Sequence, residues 1–166
     1  LANLINCANP KEVVFTSGGT EAVNHAVKGA ALANAKRGNH IITSNVEHNA
    51  VIRSLKRLNG QGFKITSLDV DPHGRVDPQA VADAITDKTI LVSIMHSNNE
   101  TGTIQPIEAI AEITRKHKIL LHTDAVDSVG VVPMDVQKLG VNLMSFGSNT
   151  FYGPTGVGGL YIRRGT

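Results

Sequence analysis

Two short stretches carry residue types and spacings that can do chemistry. Thr16-Ser17-Gly18-Gly19-Thr20-Glu21 sets a glycine pair directly before an amphipathic segment. Free backbone N–H groups at the positive end of a helix dipole would cradle a phosphate there. The same pattern is as often an ordinary helix start, and on spacing alone the two readings stand level. His122-Thr123-Asp124-Ala125 puts a carboxylate after an apolar run. Such a group either pairs with a cationic ring nitrogen of a bound cofactor or is a buried, hydrogen-bonded aspartate or cap. A metal reading of His96, His122 and Asp124 is weak, because His-x-Asp has no ligand spacing of its own. No GxGxxG or GxxxxGK[ST] occurs, so dinucleotide and P-loop readings fall away. His25, His40, His73 and His117 read as surface or cap residues.

For these stretches to act together, regular elements must bring them to one place. β-rich runs occur at Glu12 to Thr16, His40 to Ser44, Lys64 to Leu68, Thr89 to Ile94, Ile119 to Thr123, Asn142 to Phe146 and Gly158 to Ile162. Amphipathic segments at Glu21 to Lys36, Asn49 to Leu58, Pro78 to Ala84, Ile107 to Lys116 and Val136 to Leu139 lie between them. Strand-helix alternation predicts an α/β fold, a mostly parallel sheet with helices on both faces. The near-continuous apolar character of the longest runs fits strands covered on both sides. In such sheets ligands bind beyond the carboxyl ends of the strands, which is where both stretches fall. Asp71-Pro72-His73-Gly74 reads as a turn.

At 166 residues the chain is one domain's worth and long enough for a real core. A net charge of +2 without lysine or arginine runs argues against a nucleic-acid surface. There is no membrane-length apolar run and no signal segment, so the expected protein is soluble and cytoplasmic. Cys7 is the one cysteine, which excludes an internal disulfide and suits a reducing compartment. Nothing near it in sequence would lower its pKa, and it reads as an inert thiol.

The chain resembles the pyridoxal-phosphate (PLP)-dependent cysteine desulfurases of the class V aminotransferase group. The motifs that carry the resemblance run in order from Glu12-Val13-Val14-Phe15-Thr16-Ser17-Gly18-Gly19-Thr20-Glu21, through Thr43-Ser44-Asn45-Val46-Glu47-His48 and Ser93-Ile94-Met95-His96-Ser97-Asn98-Asn99-Glu100-Thr101-Gly102, to His122-Thr123-Asp124-Ala125 and Tyr161-Ile162-Arg163-Arg164. The resemblance implies that residues 1–166 form the single large domain of a fold-type-I PLP enzyme, a three-layer sandwich whose sheet has seven strands, the last antiparallel. It implies that an N-terminal arm and a small C-terminal domain bearing the catalytic cysteine lie outside these residues; Cys7 does not match that cysteine. By the same resemblance Gly19 and Thr20 contact the cofactor phosphate and His48 stacks on the ring as an acid/base candidate. Asn99 bonds the phenolic oxygen, and Asp124 pairs with the pyridine nitrogen. The family reaction takes L-cysteine to L-alanine and passes sulfur to an enzyme cysteine for iron-sulfur cluster assembly, in a homodimer that serves a sulfur-accepting scaffold protein.

The departures from the family pattern gather in one loop and one neighbour. In Ser145-Phe146-Gly147-Ser148-Asn149-Thr150-Phe151-Tyr152-Gly153-Pro154 the family reads Ser-Phe-Ser-x-His-Lys before an aromatic-Gly-Pro turn. Thr150 stands at the Schiff-base lysine, Asn149 at the histidine and Gly147 at the serine, while Thr155 replaces a common lysine. A hydroxyl cannot form an imine. Asp127 stands where the family has a glutamine that donates to the phenolic oxygen, and it would set a carboxylate against a negative oxygen. The expectation is weak noncovalent PLP binding or none, and no activity by this chain alone. The alternative is a non-catalytic binding or scaffold module, natural or engineered, that keeps the fold without the cofactor.

Overall fold

Three of the helices begin where a side chain accepts from the first turn. In the computed structural model, which describes residues 1–166, His48 caps α2 (Asn49–Asn59) by accepting from the Ala50 N–H. Asp77 caps α3 (Pro78–Ala84), with Pro78 in the first turn where its missing N–H costs nothing. Asp135 caps α5 (Val136–Leu139), which Gly140 ends in the left-handed conformation at φ +69°. The longer helices are α1 (Gly19–Ala33) and α4 (Ile107–Lys116). Their buried residues recur at helical spacing, as in Ile107, Ile110, Ala111 and Thr114 of α4, so each turns one apolar stripe toward the sheet.

The strands are β1 (Val13–Thr16), β2 (His40–Ser44), β3 (Lys64–Leu68), β4 (Thr89–Ser93), β5 (Leu120–Asp124), β6 (Leu143–Gly147) and β7 (Gly158–Ile162). They form one seven-stranded sheet in the order β1-β7-β6-β5-β4-β2-β3. β2 through β6 pair in parallel, and β7 runs antiparallel to both β6 and β1. The inner strands β2, β4 and β6 are buried at every position, while the edge strands β1 and β3 are partly open and Phe15 on β1 is 71% exposed. α1 and α2 pack over Ile41, Ile90 and Leu91 on one face. Ile107, Ile110 and Val136 from α4 and α5 join Ile42, Val92, Leu121, Met144 and Tyr161 on the other. The result is the expected three-layer α/β sandwich. No helix is long and apolar enough to cross a membrane.

The ends of α2, β4, β5 and β6 shift by one residue from the sequence expectation, and three larger details differ. β1 starts at Val13 because Pro10–Glu12 form a 3-10 turn, in which Asn9 and Glu12 cap each other. The other Glu12 oxygen accepts from Arg164 N, tying the chain's beginning to its end. α1 begins two residues early, at Gly19, and ends at Ala33. His40 is not a surface residue: it is buried, with Nδ1 2.7 Å from Thr89 Oγ1 and Nε2 2.8 Å from Thr66 Oγ1. A residue first in its strand escapes a periodicity reading when its neighbours β3 and β4 flank it on both sides. The turn at Asp71 forms as expected, its Oδ1 accepting from His73 and Arg75 N–H.

β7 can enter between β1 and β6 only because its first residues have no side chain. A Cβ on Gly158 would overlap the backbone of Gly18, and one on Gly159 would overlap the Phe146 ring. Gly158→Ala should therefore lower unfolding free energy by roughly 1–3 kcal/mol, as overpacking against unyielding backbone does. Urea denaturation checks this, and an unchanged midpoint would contradict the crowding.

Candidate functional site

With β7 reversed, the carboxyl ends of β1, β2, β4, β5 and β6 and the beginning of β7 all meet at one end of the sheet. Gly158 pairs with Thr16 on one side and Gly147 on the other, and Asp124 pairs with Ser145. The last residues of these strands and the turns that follow them carry Gly19, Thr20, His48, Asn99, Asp124, Asp127, Gly147, Asn149 and Thr150. Gly18 is the N-cap of α1 and makes no side-chain cap bond; Glu21 instead folds back to accept from Ser17 N at 2.6 Å. The first N–H groups of α1, at Gly19 and Thr20, lack intrahelical partners by position.

His48 is exposed, and its Nδ1 accepts from Ala50 N at 3.2 Å, so the neutral ring carries its proton on Nε2. Asn99 is exposed, whereas its neighbour Asn98 is consumed by the loop, donating to Val46 O and accepting from Glu100 N and Thr101 N. Asp124 is buried, and its Oδ1 takes the Val126 N–H. Burial pushes its carboxyl up to about 6, with Asp127 adding to the rise and His48 opposing it. Asp124 thus lies within electrostatic reach of both His48 and Asp127.

The opposite wall is built from the departures. Thr150 Oγ1 lies 2.7 Å from Val129 O, with Val126 O at 3.3 Å and Gly147 O at 3.4 Å. Its single proton goes to Val129, and the hydroxyl joins the β6–β7 loop to the β5–α5 loop. Asn149 Oδ1 lies 2.6 Å from where a Cβ on residue 147 would sit, so a side chain at 147 would turn the exposed Asn149 amide to another rotamer. Val126 fills the space that a Cβ on Gly19 would need. Sequence reading missed Val126 because its part is steric and depends on a neighbour 107 positions away in the chain.

It also missed Glu47, which the Glu47-His48 motif contained without assigning a role. Glu47 is 6% exposed. Its Oε1 accepts from Ser44 Oγ at 2.6 Å and from Met95 N at 2.9 Å, bridging the ends of β2 and β4, while Oε2 has no partner. Burial drives its carboxyl up to about 8, and nearby Asp124 pushes the same way. His122 is locked between Ser93 Oγ and Ser145 Oγ, each 2.9 Å away, and burial brings its ring down to about 3. A histidine spent on both nitrogens is a strut across β4, β5 and β6 and not a ligand. No three His, Cys, Asp or Glu side chains converge as a metal site.

The family profile described as aminotransferase class-V matches residues 1–166. The chain belongs to that family. Relatives of this class-V chain include the cysteine desulfurase IscS of Methanosarcina thermophila, 53% identical over 95% of this chain and 39% of that protein. The cysteine desulfurase IscS of Pseudoalteromonas translucida is 53% identical over 99% of this chain and 40% of its own length. Among solved structures, a NifS-like protein superposes with TM-score 0.95 at 41% identity, covering 99% of this chain and 46% of that one. SspA in complex with cysteine gives TM-score 0.93 at 39% identity, over 98% of this chain and 47% of that one. The class-V chain thus spans about 40% of the length of the curated relatives it matches.

PLP is the cofactor the family implies, and the residues of this class-V chain do not fit it. Position 150 has no amine and its hydroxyl is already committed. The serine that the resemblance implies at 147 has no room while Asn149 keeps its present rotamer, and Asp127 adds negative charge where Asp124 is already strained by burial.

The Glu47 carboxyl sets a pH dependence of stability. Its folded pKa of about 8 lies above the ordinary 4.5, so its contribution is complete below pH 4.5 and is lost as pH rises toward 8. Glu47→Gln, which keeps the shape without the proton, should gain on the parent chain by up to about 1.4 kcal/mol per pH unit in that window. Urea denaturation of both proteins across that window measures the difference; a gap that does not change with pH would show Glu47 to be ionised in the fold.

Proposed function

We propose that this chain is the large-domain portion of a cysteine desulfurase-like protein that has given up its covalent hold on PLP. The observation that carries this reading is the Thr150 hydroxyl donating to Val129 O at the position the resemblance gives to the imine-forming lysine. Gly19, Thr20, His48, Asn99 and Asp124 are the contacts left for a noncovalently held cofactor. Gly147, Asn149, Asp127 and Thr150 are the contacts degraded. The relatives' names, and a structural neighbour solved with cysteine, support L-cysteine as the substrate of the whole protein. By the resemblance, sulfur transfer is the work of a cysteine that Cys7 does not match; Cys7 packs beside the core, its Sγ 3.4 Å from Asn9 O. A homodimer, a sulfur-accepting scaffold protein and a cytoplasmic setting complete the reading.

A second reading has its own support. Because Thr150 ties two loops together, the fold gains cohesion from the very substitution that ends the chemistry, as a binding or scaffold module would. Both readings exclude a covalent cofactor and differ in whether PLP visits the site.

Incubation with PLP followed by borohydride should leave no adduct at residue 150, and the cofactor should dialyse away. A stoichiometric reduced adduct on any lysine of the site would sink the reading, and complete absence of PLP uptake would favour the scaffold. Thr150→Lys alone should restore little of the yellow absorbance, since the new ammonium meets the Val126, Val129 and Gly147 carbonyls and Asp127. Thr150→Lys with Asn149→His, Gly147→Ser and Asp127→Gln should restore it; full loading by the single change would mean that the other three departures are neutral.

A further inference from the structure

Charge divides between the two ends of the sheet. The loops at the carboxyl ends of the strands contain a single basic residue, Arg75. The connections at the opposite end, with the residues after β7, hold Lys36, Arg37, Lys88, Lys118, Arg163 and Arg164 and one acidic side chain, Asp87. Helix dipoles account for the bases inside last helical turns, such as Arg115 and Lys116 of α4. They do not account for Arg37 and Lys88, since α1 ends at Ala33 and α3 at Ala84 and the dipole effect fades beyond the last turn.

A cavity of about 420 Å³ opens in this basic end, where the chain turns from α3 into β4 and from α4 into β5. Ile85, Ile90 and Ile119 give it an apolar lining, to which Thr86 and Thr89 add hydroxyls. Arg37 and His117 supply its basic groups. The Arg37 guanidinium is held in place, Nη1 donating to Asn34 Oδ1 at 3.2 Å and Nη2 to Lys118 O at 3.1 Å, which leaves its other N–H groups unspent. Lys118 is in the left-handed conformation at φ +56°, a place that glycine usually takes after a helix, so the turn offering that carbonyl is formed at a backbone cost. Asp87, the one carboxylate in the lining, is already paired, 3.8 Å from Lys88 Nζ.

We infer that this cavity binds a small organic anion through Arg37, a carboxylate or phosphate group carried on an apolar body. The guanidinium has N–H donors to give to the oxygens of either group. The isoleucines bury the body, and the volume is that of an ordinary small-molecule site. A cation would meet Arg37 with like charge, and an uncharged chain would leave the guanidinium unanswered. The inference goes beyond the proposed loss of the covalent anchor and needs nothing at residue 150, since the cavity lies at the other end of β4 and β5 from Asp124.

The test is a titration of the ¹⁵N-labelled chain with sodium butyrate and with sodium monobutyl phosphate, beside butylammonium chloride, which has the same apolar body and the opposite charge. Saturable shifts centred on the amides of Arg37, Thr86, Asp87, Ile90, His117 and Ile119 should appear with at least one of the two anions and not with butylammonium. The anion that saturates identifies the head group. Arg37→Gln should weaken that binding roughly fivefold, about what one partly exposed charge-assisted pair contributes. Arg57→Gln, in the last turn of α2 at the same end, should change it by less than about twofold, since screened charge at a distance acts weakly. Equal shifts with butylammonium, anion shifts that never saturate, or unchanged affinity in a folded Arg37→Gln protein would overturn the inference. The comparison of the three salts on the unmodified chain needs no variant to fold. Phosphate-dependent shifts at Gly19 and Thr20 would bear on the cofactor reading alone, which keeps failure here distinct from failure there.

Discussion

The site depends on backbone meeting backbone where β7 slides in between β1 and β6. Gly158 has no side chain, and Gly18 lies against it so closely that none would fit. That contact holds the β1–α1 turn and the β6–β7 loop at one level beside Asp124. Parallel strands alone would send the chain away from this end after β6. Residues 147–150 leave the end of β6 at this level, and the reversed strand brings the chain back between β1 and β6. The same crowding fixes Phe146 beneath Gly159, so the loop leaves the sheet from a rigid base.

On that frame the electrostatics are set by burial and not by ion pairs. The one salt bridge, Asp87–Lys88, is exposed and sits at the amino end of β4, away from the carboxyl ends that build the site, and exposed pairs contribute little. At the site, burial raises Glu47 to about 8 and Asp124 to about 6, while it lowers His122 to about 3. These shifts have one cause, the cost of an isolated charge in a dry interior, and they leave Glu47 protonated and His122 neutral at pH 7. A neutral Glu47 can bridge β2 to β4 without a counter-ion. Asp124 keeps one oxygen for Val126 N–H and, raised to about 6, is still mostly ionised at pH 7. Adding Asp127 beside it works against any negatively charged ligand.

The sequence made the architecture readable because each element carries its own start and stop. Asp77-Pro78, Asp135 and Gly140 mark helix ends chemically, and the burial of β2, β4 and β6 on both faces writes them as short apolar runs. The single Thr150 substitution was equally plain, since imine chemistry needs an amine. What was not legible was pairwise. His40 became a core residue because Thr66 and Thr89 approach from two other strands, and Glu47 became a buried acid because Met95 N–H lies on its far side. Gly147 and Asn149 read as two separate positions, and only the structure shows the Asn149 amide lying over Gly147. Contacts between residues distant in the chain have no signature in composition or period.

That coupling bears on how the site reached its present form. A serine at 147 and the present Asn149 rotamer exclude each other, so glycine at 147 is a condition for Asn149 to lie where it does. Thr150, in turn, needs the carbonyls of Val126, Val129 and Gly147 gathered within reach, which the packing of Phe151 against Gly130 maintains: at φ +89° a Cβ on Gly130 would lie 2.5 Å from that of Phe151. The loop is therefore folded for a hydroxyl and not for a long amine. An ancestral lysine pocket missing only its lysine would leave those carbonyls without a donor and the loop loose. Here the loop is bonded at residue 150, packed at 151 and fitted at 147 and 149, so the wall opposite Asp124 has settled into a structure of its own.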